Sequence, residues 1–446
     1  MRPLWRIAFA AAALLAIAAL GFVAWNVFGP GPTDFAGRDR VALADYKLAD
    51  PTDVPASLKD ASLIDRGRYL IRAADCEACH TTIGGQSFAG GRAFVLPFGT
   101  MYSTNITPDT DTGIGQYTDA DFLAAVHRGV RRDGARLYPA MPFASYTYLT
   151  DADTLAIKAY LFSLKPINAP AISNTFAFPF DQRWSMGIWA MMFNANRRFE
   201  PHANQSTEWN RGAYLVEALA HCGECHTPRN LFQALDNRNK FAGAVTGGWR
   251  AFNITGDPTS GVGDWTAEAL AHYLATGHAE GRGTAAGPMG EAVDLSLVHL
   301  TGEDIAAMAT YLRTIPPISN PNAPAPKPPE AIAVHAPGAI GHPHGEQIYA
   351  EACASCHGWT GKSPISGLAT IAGARSINDP SGVNVAQVIL FGGGRKPGEA
   401  GMAMPPFGDA YSDAEIAAAA NFVTARFGAV GSRLTAENVA SLRLTR

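Results

Sequence analysis

The sequence predicts an all-α protein with one N-terminal membrane helix followed by three small helical units in tandem. Two observations predict this fold class. An uncharged, largely apolar run extends from Ile7 to Phe28, and at 1.5 Å per residue some twenty residues span a hydrocarbon layer of about 30 Å. The pattern Cys-X-X-Cys-His also occurs three times within the same order of flanking segments, which is the signature of a repeated structural unit.

The apolar run at the N-terminus is expected to be a retained anchor. Arg2 and Arg6 precede the run, and the positive-inside rule then places the N-terminus in the cytoplasm and the remainder outside it. The alternative is a signal peptide cleaved after Ala16-Ile-Ala18. Both alternatives export the chain. With the anchor retained, we expect a protein of the cytoplasmic (inner) membrane whose main body faces the periplasm.

Each repeat begins with a short helical pattern and ends with an amphipathic one. Apolar residues at helical spacing precede every Cys-X-X-Cys-His motif, as in Arg66–Ile71, Arg211–Val216 and Gly345–Ala350. A hydroxyl residue starts each closing helix, and an acidic residue three positions later indicates a capping box. These pairs are Thr150 with Asp153, Thr301 with Asp304, and Ser412 with Glu415.

Composition shifts set the expected boundaries. Residues from 29 to about 60 are polar and are expected to be a spacer, and Asn320–Pro329 is rich in proline and is expected to be a stiff, extended linker. The expected segments are the anchor (1–29), unit 1 (60–170), an aromatic interdomain segment (171–206), unit 2 (207–317), the linker (318–340) and unit 3 (341–430).

The Cys-X-X-Cys-His motif predicts covalent haem attachment. Two thiols at this spacing bind the two vinyl groups of a porphyrin, and the adjacent histidine binds the iron. The predicted haem-binding cysteines are Cys76, Cys79, Cys222, Cys225, Cys353 and Cys356, and the predicted iron ligands beside them are His80, His226 and His357. The sequence therefore predicts three c-type haems.

A methionine lies before the closing helix of every repeat and is expected to be the second axial ligand. These methionines are Met141, Met289 and Met404; a thioether ligand raises the reduction potential of the iron. Met101 competes with Met141, Met402 competes with Met404, and core packing is the alternative role for each methionine. The remaining histidines are expected to be surface or structural residues, with His342 and His344 closest to the third haem.

Other classes of site fit the pattern poorly. A zinc ribbon pairs two Cys-X-X-Cys motifs that lie close together, whereas these are more than a hundred residues apart and odd in number. A thioredoxin-like dithiol is the other alternative. The sequence contains no dinucleotide fingerprint, P-loop or serine elbow in a suitable context. The formal net charge of −4 without a basic stripe gives no indication of nucleic-acid binding.

Longer strings around the motifs resemble those of a known family. These strings are Tyr102–Asp109, Leu137–Pro142, Glu208–Gly212 and Cys222–Asn230. Over residues 62 to 430 the chain resembles the three-haem cytochrome c subunits of bacterial membrane-bound, periplasm-facing dehydrogenases of the alcohol, aldehyde and gluconate type. The resemblance implies three tandem class I cytochrome c domains.

The resemblance also implies partners. A separate catalytic subunit of the pyrroloquinoline quinone, molybdopterin or flavin type would oxidise a small alcohol, aldehyde or similar substrate, with a small extra subunit as a possible third member. Electrons would pass through this chain to ubiquinone in the membrane. One alternative is a membrane-anchored electron donor to a terminal oxidase without a dedicated dehydrogenase. Another is a haem peroxidase, although three candidate methionines argue against the open iron face that peroxidase chemistry needs.

Two further expectations concern packing. The aromatic segment Phe176–Phe193 allows two hypotheses: an exposed apolar surface that meets quinone or a partner subunit, or a strap packed over the first two units. The strap is favoured because aromatic stripes usually lie in cores. The apolar-surface hypothesis uses Trp184, Met186, Ile188, Trp189, Met192 and Phe193. Core positions around the haems are expected at Tyr69, Tyr214, Leu155 and Tyr160.

Overall fold

The computed structural model describes residues 2–96, 98–332, 338–393 and 403–445, and these residues are mostly helical. An N-terminal helix precedes three groups of helices that follow the three sequence repeats. The helices are α1 Arg2–Val27, α2 Leu63–Ala73, α3 Cys76–His80, α4 Asp119–Arg128, α5 Phe143–Tyr146, α6 Asp151–Ser163, α7 Ser185–Phe193, α8 Thr207–Tyr214, α9 Gly223–His226, α10 Ala267–Thr276, α11 Gly287–Leu295, α12 Gly302–Leu312, α13 Pro343–Ile348, α14 Ala354–His357, α15 Val383–Phe391, α16 Asp413–Phe427 and α17 Ala436–Arg443. In α1, the stretch Ile7–Val27 is long and apolar enough to cross a membrane, and none of it is buried.

Short β-hairpins add to the helical framework. The strands are β1 Ala93–Leu96, β2 Gly99–Tyr102, β3 Ala244–Thr246, β4 Trp249–Ala251, β5 His278–Ala279 and β6 Gly283–Thr284. They pair as three separate antiparallel hairpins, β1 with β2, β3 with β4, and β5 with β6. The all-α prediction therefore holds for the main elements only. Strands of two to four residues are too short to give a period-two pattern in the sequence.

The leading and closing helices of every unit cross at a glycine. Helix α2 packs on α6, α8 on α12, and α13 on α16. A Cβ atom on the glycine of the leading helix would overlap a backbone carbonyl oxygen of the closing helix, at 1.9 Å for Gly67 and Ala156, 2.0 Å for Gly212 and Ala307, and 2.2 Å for Gly345 and Ala418. Glycine is thus required at each crossing, because only a residue without a Cβ lets the backbones approach this closely.

The predicted helix caps are confirmed, but the acidic residues have more than one role. The hydroxyls of Thr150, Thr301 and Ser412 each accept a hydrogen bond from the backbone three residues later. Only Ser412 forms the complete capping box with its acidic partner. Asp153 and Asp304 are instead buried. The reason is that these two carboxylates form a contact between units 1 and 2.

That contact is reciprocal. The Tyr69 hydroxyl of unit 1 donates to Asp304 of unit 2 at 2.6 Å, where Arg211 also binds the carboxylate at 2.7 and 2.8 Å. In the opposite direction, the hydroxyl of Tyr214 in unit 2 donates to Asp153 of unit 1 at 2.6 Å, and Arg66 binds that carboxylate at 2.7 Å. Units 1 and 2 therefore join through two corresponding sets of tyrosine, arginine and aspartate, in which Arg211 is buried and Arg66 is partly exposed.

The structure corrects the expectation that four residues, two of them tyrosines of the leading helices, form the core around the haem sites. Tyr69 and Tyr214 are buried, but they lie at the contact between units rather than around the haem sites. Leu155 and Tyr160 are only half-buried, because the face of α6 that points inward carries Ala156, Ile157 and Leu161. One hydrophobic core extends through units 1 and 2 without interruption, whereas unit 3 has its own.

Unit 3 docks on unit 2 through polar contacts to the β3–β4 hairpin. The Asn384 amide exchanges two hydrogen bonds with the backbone of Arg250, at 2.8 and 2.9 Å. The Arg250 guanidinium lies 3.1 Å from Asp379. The proline-rich linker is also tied down, because the Lys327 amide donates to Asn378 at 2.8 Å. Unit 2 therefore contacts both of the other units.

Both ends of the body are more structured than the sequence indicated. The expected spacer after α1 packs on units 1 and 2: Thr33 and Thr52 are buried, and Asp53 lies 3.1 Å from Arg66. At the C-terminus, α17 packs on α16, with Val439 fully buried. The body of the protein thus extends beyond the expected bounds of 60 and 430.

The aromatic segment has one packed face and one exposed face. Trp189 is 8% exposed, donates its Nε1–H to the Phe232 carbonyl at 2.8 Å, and stacks edge-on against Phe143. It therefore joins units 1 and 2, as the strap hypothesis expected, and does not belong to an exposed apolar surface. Trp184 and Ile188 on the same segment are exposed.

Candidate functional site

The three Cys-X-X-Cys-His motifs form short helical turns, α3, α9 and α14. Sharp backbone bends start the first two turns, because the preceding residues Asp75 and His221 adopt left-handed conformations with φ of 51° and 39°. In unit 3 the π-helical segment Tyr349–Cys353 leads directly into α14. Each turn brings its two cysteines and its histidine to one wall of a cavity.

The three motif histidines have the same hydrogen-bonding arrangement. Nδ1 lies 2.7 Å from the Thr104 carbonyl in His80, 2.7 Å from the Phe252 carbonyl in His226, and 2.6 Å from the Ala369 carbonyl in His357. Because a carbonyl only accepts, Nδ1 carries the proton and Nε2 keeps its lone pair. Burial lowers the pKa of all three imidazoles, which favours their neutral form. A neutral imidazole with a fixed tautomer is suited to bind iron through Nε2.

The motif cysteines are half-buried residues without disulfide partners. Desolvation of the thiols raises the pKa of Cys76, Cys79 and Cys222 to about 12 and that of Cys225 and Cys353 to about 11. A reactive dithiol needs the opposite shift. Nor does the described part of the chain bring three or more His, Cys, Asp or Glu residues together as a metal site. The zinc and dithiol alternatives therefore find no support.

A connected cavity of about 3530 Å³ runs through all three units. Its lining includes every predicted haem-binding and iron-ligating residue: Cys76, Cys79, His80, Met141, Cys222, Cys225, His226, Met289, Cys353, Cys356, His357 and Met404. Single cofactor pockets measure about 300–1,000 Å³, so this space exceeds what one such group needs. Residues far apart in the sequence thus meet where the sequence analysis expects three cofactors.

The candidate methionines come from three different settings. Met141 precedes α5, Met289 lies on α11, and Met404 pairs through its backbone with Gly393. All three are half-buried. Met101 on β2 lines the same cavity as Met141, whereas Met402 lies outside the described residues.

Of the other described histidines, His221, His272 and His278 line the cavity, whereas His127 and His202 are buried structural residues. His127 is 2% exposed and its Nε2 contacts the Thr154 hydroxyl at 2.9 Å. His202 is 1% exposed and contacts the Thr33 hydroxyl at 2.9 Å. His342 and His344 are not part of the cavity lining, and His335 lies outside the described residues.

Charged and polar residues between the first two sites were missed by the sequence analysis. Arg92 of unit 1 binds Glu291 of unit 2 at 2.8 Å and also donates to the Ala78 carbonyl within the first motif. The Ser145 hydroxyl donates to Glu224, inside the second motif, at 2.7 Å. These contacts bind the α3 turn to unit 2 and the α9 turn to unit 1. Ionic partners so far apart in sequence leave no pattern from which they could have been found.

The arrangement fits a c-type haem. Paired thiols and a neutral imidazole share one wall, half-buried thioethers line the same cavity, and the remaining lining is largely apolar. Among these groups the thioether and imidazole match the axial ligands of a cytochrome c. When bound, a haem supplies a one-electron iron centre to the protein.

Comparison with known proteins points in the same direction. The sequence model of the family "Cytochrome c" matches residues 64–165 and 344–426. The chain is 39% identical over 419 residues to the fructose dehydrogenase cytochrome subunit of Gluconobacter japonicus, covering 89% of this chain and 85% of that one. It is 36% identical over 417 residues to the cytochrome c subunit of the quinone-dependent alcohol dehydrogenase of Gluconacetobacter polyoxogenes, covering 90% and 88%. The chain belongs to the cytochrome c subunits of dehydrogenase complexes.

A third relative is similar in identity and coverage. The chain is 36% identical over 400 residues to the cytochrome c subunit of the gluconate 2-dehydrogenase of Pantoea cypripedii, covering 86% of this chain and 90% of that one. Membership of the family makes this dehydrogenase cytochrome subunit an electron-transfer protein with covalent c-type haem and a dehydrogenase catalytic partner. The predicted resemblance is confirmed.

Proposed function

We propose that this dehydrogenase cytochrome subunit carries three covalent haems and passes electrons from its catalytic partner to ubiquinone. The three cysteine pairs would attach the haems, and the residues that would bind the irons are His80 with Met141, His226 with Met289, and His357 with Met404. The observation that carries this proposal is that all twelve residues line one connected cavity. Relatives named as quinone-dependent alcohol dehydrogenase subunits support ubiquinone as the acceptor.

The packing of the units supports a route through unit 2. Arg92 joins the α3 turn to Glu291 of unit 2, and Ser145 of unit 1 binds Glu224 in the α9 turn. On its other side, unit 2 binds unit 3, where the Thr284 hydroxyl donates to the Leu368 carbonyl at 2.8 Å. Electrons that enter at either end of the chain therefore pass through the middle site.

The protein's own residues prepare each site for rapid electron transfer. The carbonyls of Thr104, Phe252 and Ala369 hold the imidazoles in one tautomer, which would keep each imidazole in place as a ligand of iron. Apolar lining residues exclude water from the site, and this exclusion tunes the potential. The methionine thioether at each site favours the reduced state.

The location of the complex is part of the same proposal. The apolar α1 acts as a retained anchor in the cytoplasmic membrane, and the haem units face the periplasm. Units 1, 2 and 3 are three cytochrome c domains with the aromatic segment and the linker between them. The catalytic partner oxidises an alcohol, an aldehyde, a sugar or a sugar acid; the relatives' names support the alcohol, the sugar and the sugar acid.

The test is purification of the chain from its own membranes in mild detergent, with identification of the accompanying subunits. We expect a large subunit carrying pyrroloquinoline quinone, molybdopterin or flavin. Adding its substrate should reduce the haems, and adding ubiquinone should reoxidise them. A cytochrome that purifies alone or with an oxidase, and whose haems no such substrate reduces, would contradict the proposal.

A further inference from the structure

The outer face of α7 is apolar and exposed. The helix Ser185–Phe193 contains no charged residue. Trp184 at its start, Ile188 and Met191 follow the i, i+4, i+7 spacing of one helix face. Their exposed fractions are 68%, 47% and 78%. The opposite face holds Trp189 and Ala190 in the contact between units 1 and 2.

A loop of unit 2 connects this helix to the membrane anchor. Trp189 on α7 donates to the Phe232 carbonyl at 2.8 Å. Two residues earlier in the loop, the side-chain amide of Asn230 donates to the backbone carbonyl of Asn26, in the last turn of α1, at 3.3 Å. Leu231 lies between these two contacts and is 69% exposed. This loop therefore contacts both α7 and the end of α1, and Leu231 within it lines the cavity.

Side chains typical of a membrane interface surround this junction. The Arg238 guanidinium lies 3.9 Å from the centre of the Trp25 ring and donates to the Phe28 carbonyl at 3.2 Å. The Arg183 guanidinium, just before α7, lies 4.8 Å from the Tyr138 ring. Tryptophan and arginine concentrate where the acyl region meets the headgroups, and arginines there attract anionic lipid.

We propose that α7 forms a second membrane contact, with the face made of Trp184, Ile188 and Met191 inserted into the boundary between headgroups and acyl chains. Because α1 enters the bilayer at the loop that α7 packs on, the helix is placed to lie in the interface plane. Helices at this position insert an apolar face by about 5–10 Å. The contact adds a second point at which the haem units are fixed relative to the bilayer, beside the packed end of α1.

The full-length chain with its haems, in nanodiscs of phosphatidylethanolamine and phosphatidylglycerol, offers a direct test. All six native cysteines belong to the proposed haem attachments, so a cysteine introduced by substitution is the one reactive thiol. The test variants are Ile188→Cys and Met191→Cys. Val430→Cys is the matched aqueous control, because Val430 is 49% exposed on unit 3. Leu15→Cys in α1 is the membrane control.

Each thiol is reacted with a water-soluble maleimide and, separately, with a lipid-soluble maleimide, and each rate is divided by that of the unfolded chain. We expect Ile188→Cys and Met191→Cys to react severalfold more slowly than Val430→Cys with the first reagent and severalfold faster with the second. Rates equal to those of Val430→Cys would overturn the proposal. Protection from both reagents, appearing only with the catalytic subunit present, would assign the face to a protein partner and equally overturn it.

The inference rests on the part of the proposed function that places α1 in the bilayer, and the controls separate the two. A Leu15→Cys thiol that is missing would mean that the anchor is cleaved, and one that reacts like an aqueous thiol would mean that α1 does not lie in the bilayer. Reactive thiols in the unsubstituted chain would mean that haem attachment is incomplete. A failure confined to α7, with both controls behaving as expected, contradicts only the second membrane contact.

Discussion

Replacing Tyr69 by phenylalanine removes one hydroxyl from the buried contact between units 1 and 2. That hydroxyl donates to Asp304 at 2.6 Å and accepts from the Thr301 amide at 3.2 Å. Asp304 keeps its two hydrogen bonds from Arg211, so the carboxylate retains a charged partner. A hydrogen bond to a charged group contributes about 1.5–3 kcal/mol, and we expect a loss of about 2 kcal/mol in the free energy of unfolding.

The reciprocal arrangement supplies a second, independent variant. Tyr214→Phe removes the equivalent hydroxyl from Asp153, and that hydroxyl accepts from the Thr150 amide in the same way. The two variants should therefore lose similar stability. Tyr160→Phe is the matched control, because the hydroxyl of Tyr160 makes no hydrogen bond within the described part of the chain. Its expected change is within about 0.5 kcal/mol.

The assay is thermal unfolding of the haem-loaded chain, followed by haem absorbance and far-ultraviolet circular dichroism. Because units 1 and 2 share one hydrophobic core, they should unfold in one transition. A loss of about 2 kcal/mol lowers the midpoint by roughly 4–8 °C for a body of this size. A shift for Tyr69→Phe no larger than that for Tyr160→Phe, or very unequal shifts for the two interface variants, would refute the reasoning.

Three further predictions concern separate parts of the chain. Burial, helped by Arg198, lowers the pKa of His127 to about 4 from 6.5. The folded state therefore binds fewer protons than the unfolded one, and the free energy of unfolding should fall by up to about 3 kcal/mol as pH drops from 6.5 towards 4. Acid unfolding curves of His127→Gln should show a weaker dependence on pH. Gly67→Ala should lower the melting temperature because its Cβ would lie 1.9 Å from a carbonyl oxygen of α6, whereas Gly302→Ala, with open space around it, should not. Met141→Ala should lower the potential of one haem in a redox titration and remove one sulfur-to-iron absorption, while Met101→Ala should change neither.

The repeated elements were predictable from sequence because their signals are local. The caps at Thr150, Thr301 and Ser412 are encoded by a hydroxyl residue followed by an acidic one, and the structure has each helix begin there. The motif turns follow from the Cys-X-X-Cys-His spacing. The anchor helix follows from an apolar run of sufficient length.

The joining of the units was not predictable, since its contacts are remote in sequence. Tyr69 and Asp304 are separated by 235 positions, and no periodicity links them. The same limitation applies to Arg92 and Glu291, 199 positions apart. The repeat alone also gave no indication that units 1 and 2 share one hydrophobic core while unit 3 keeps its own. A difference in sequence accompanies this asymmetry: unit 3 has Gln347 where the others have the interface tyrosine.

The sequence pattern around Trp189 predicted an apolar segment correctly but did not show which of its side chains would be buried. The sequence showed an apolar helix but could not tell which residues would find a packing partner, because no charged residue marks the solvent side. The partner of Trp189 is the carbonyl of Phe232, in a loop of another unit. Burial on one face and exposure on the other therefore depended on the tertiary arrangement.

The central claim is that every Cys-X-X-Cys-His turn carries a haem, and the most direct measurement is the number of covalent haems per polypeptide. The mature chain is denatured, its haem is quantified as the pyridine haemochrome, and the protein is quantified by amino-acid analysis. We predict a ratio of three, falling to two when Cys222 and Cys225 are both replaced by alanine. A ratio of two in the unsubstituted protein, unchanged by that replacement, would contradict the account, because the middle unit, which the family model does not match, would then carry no haem.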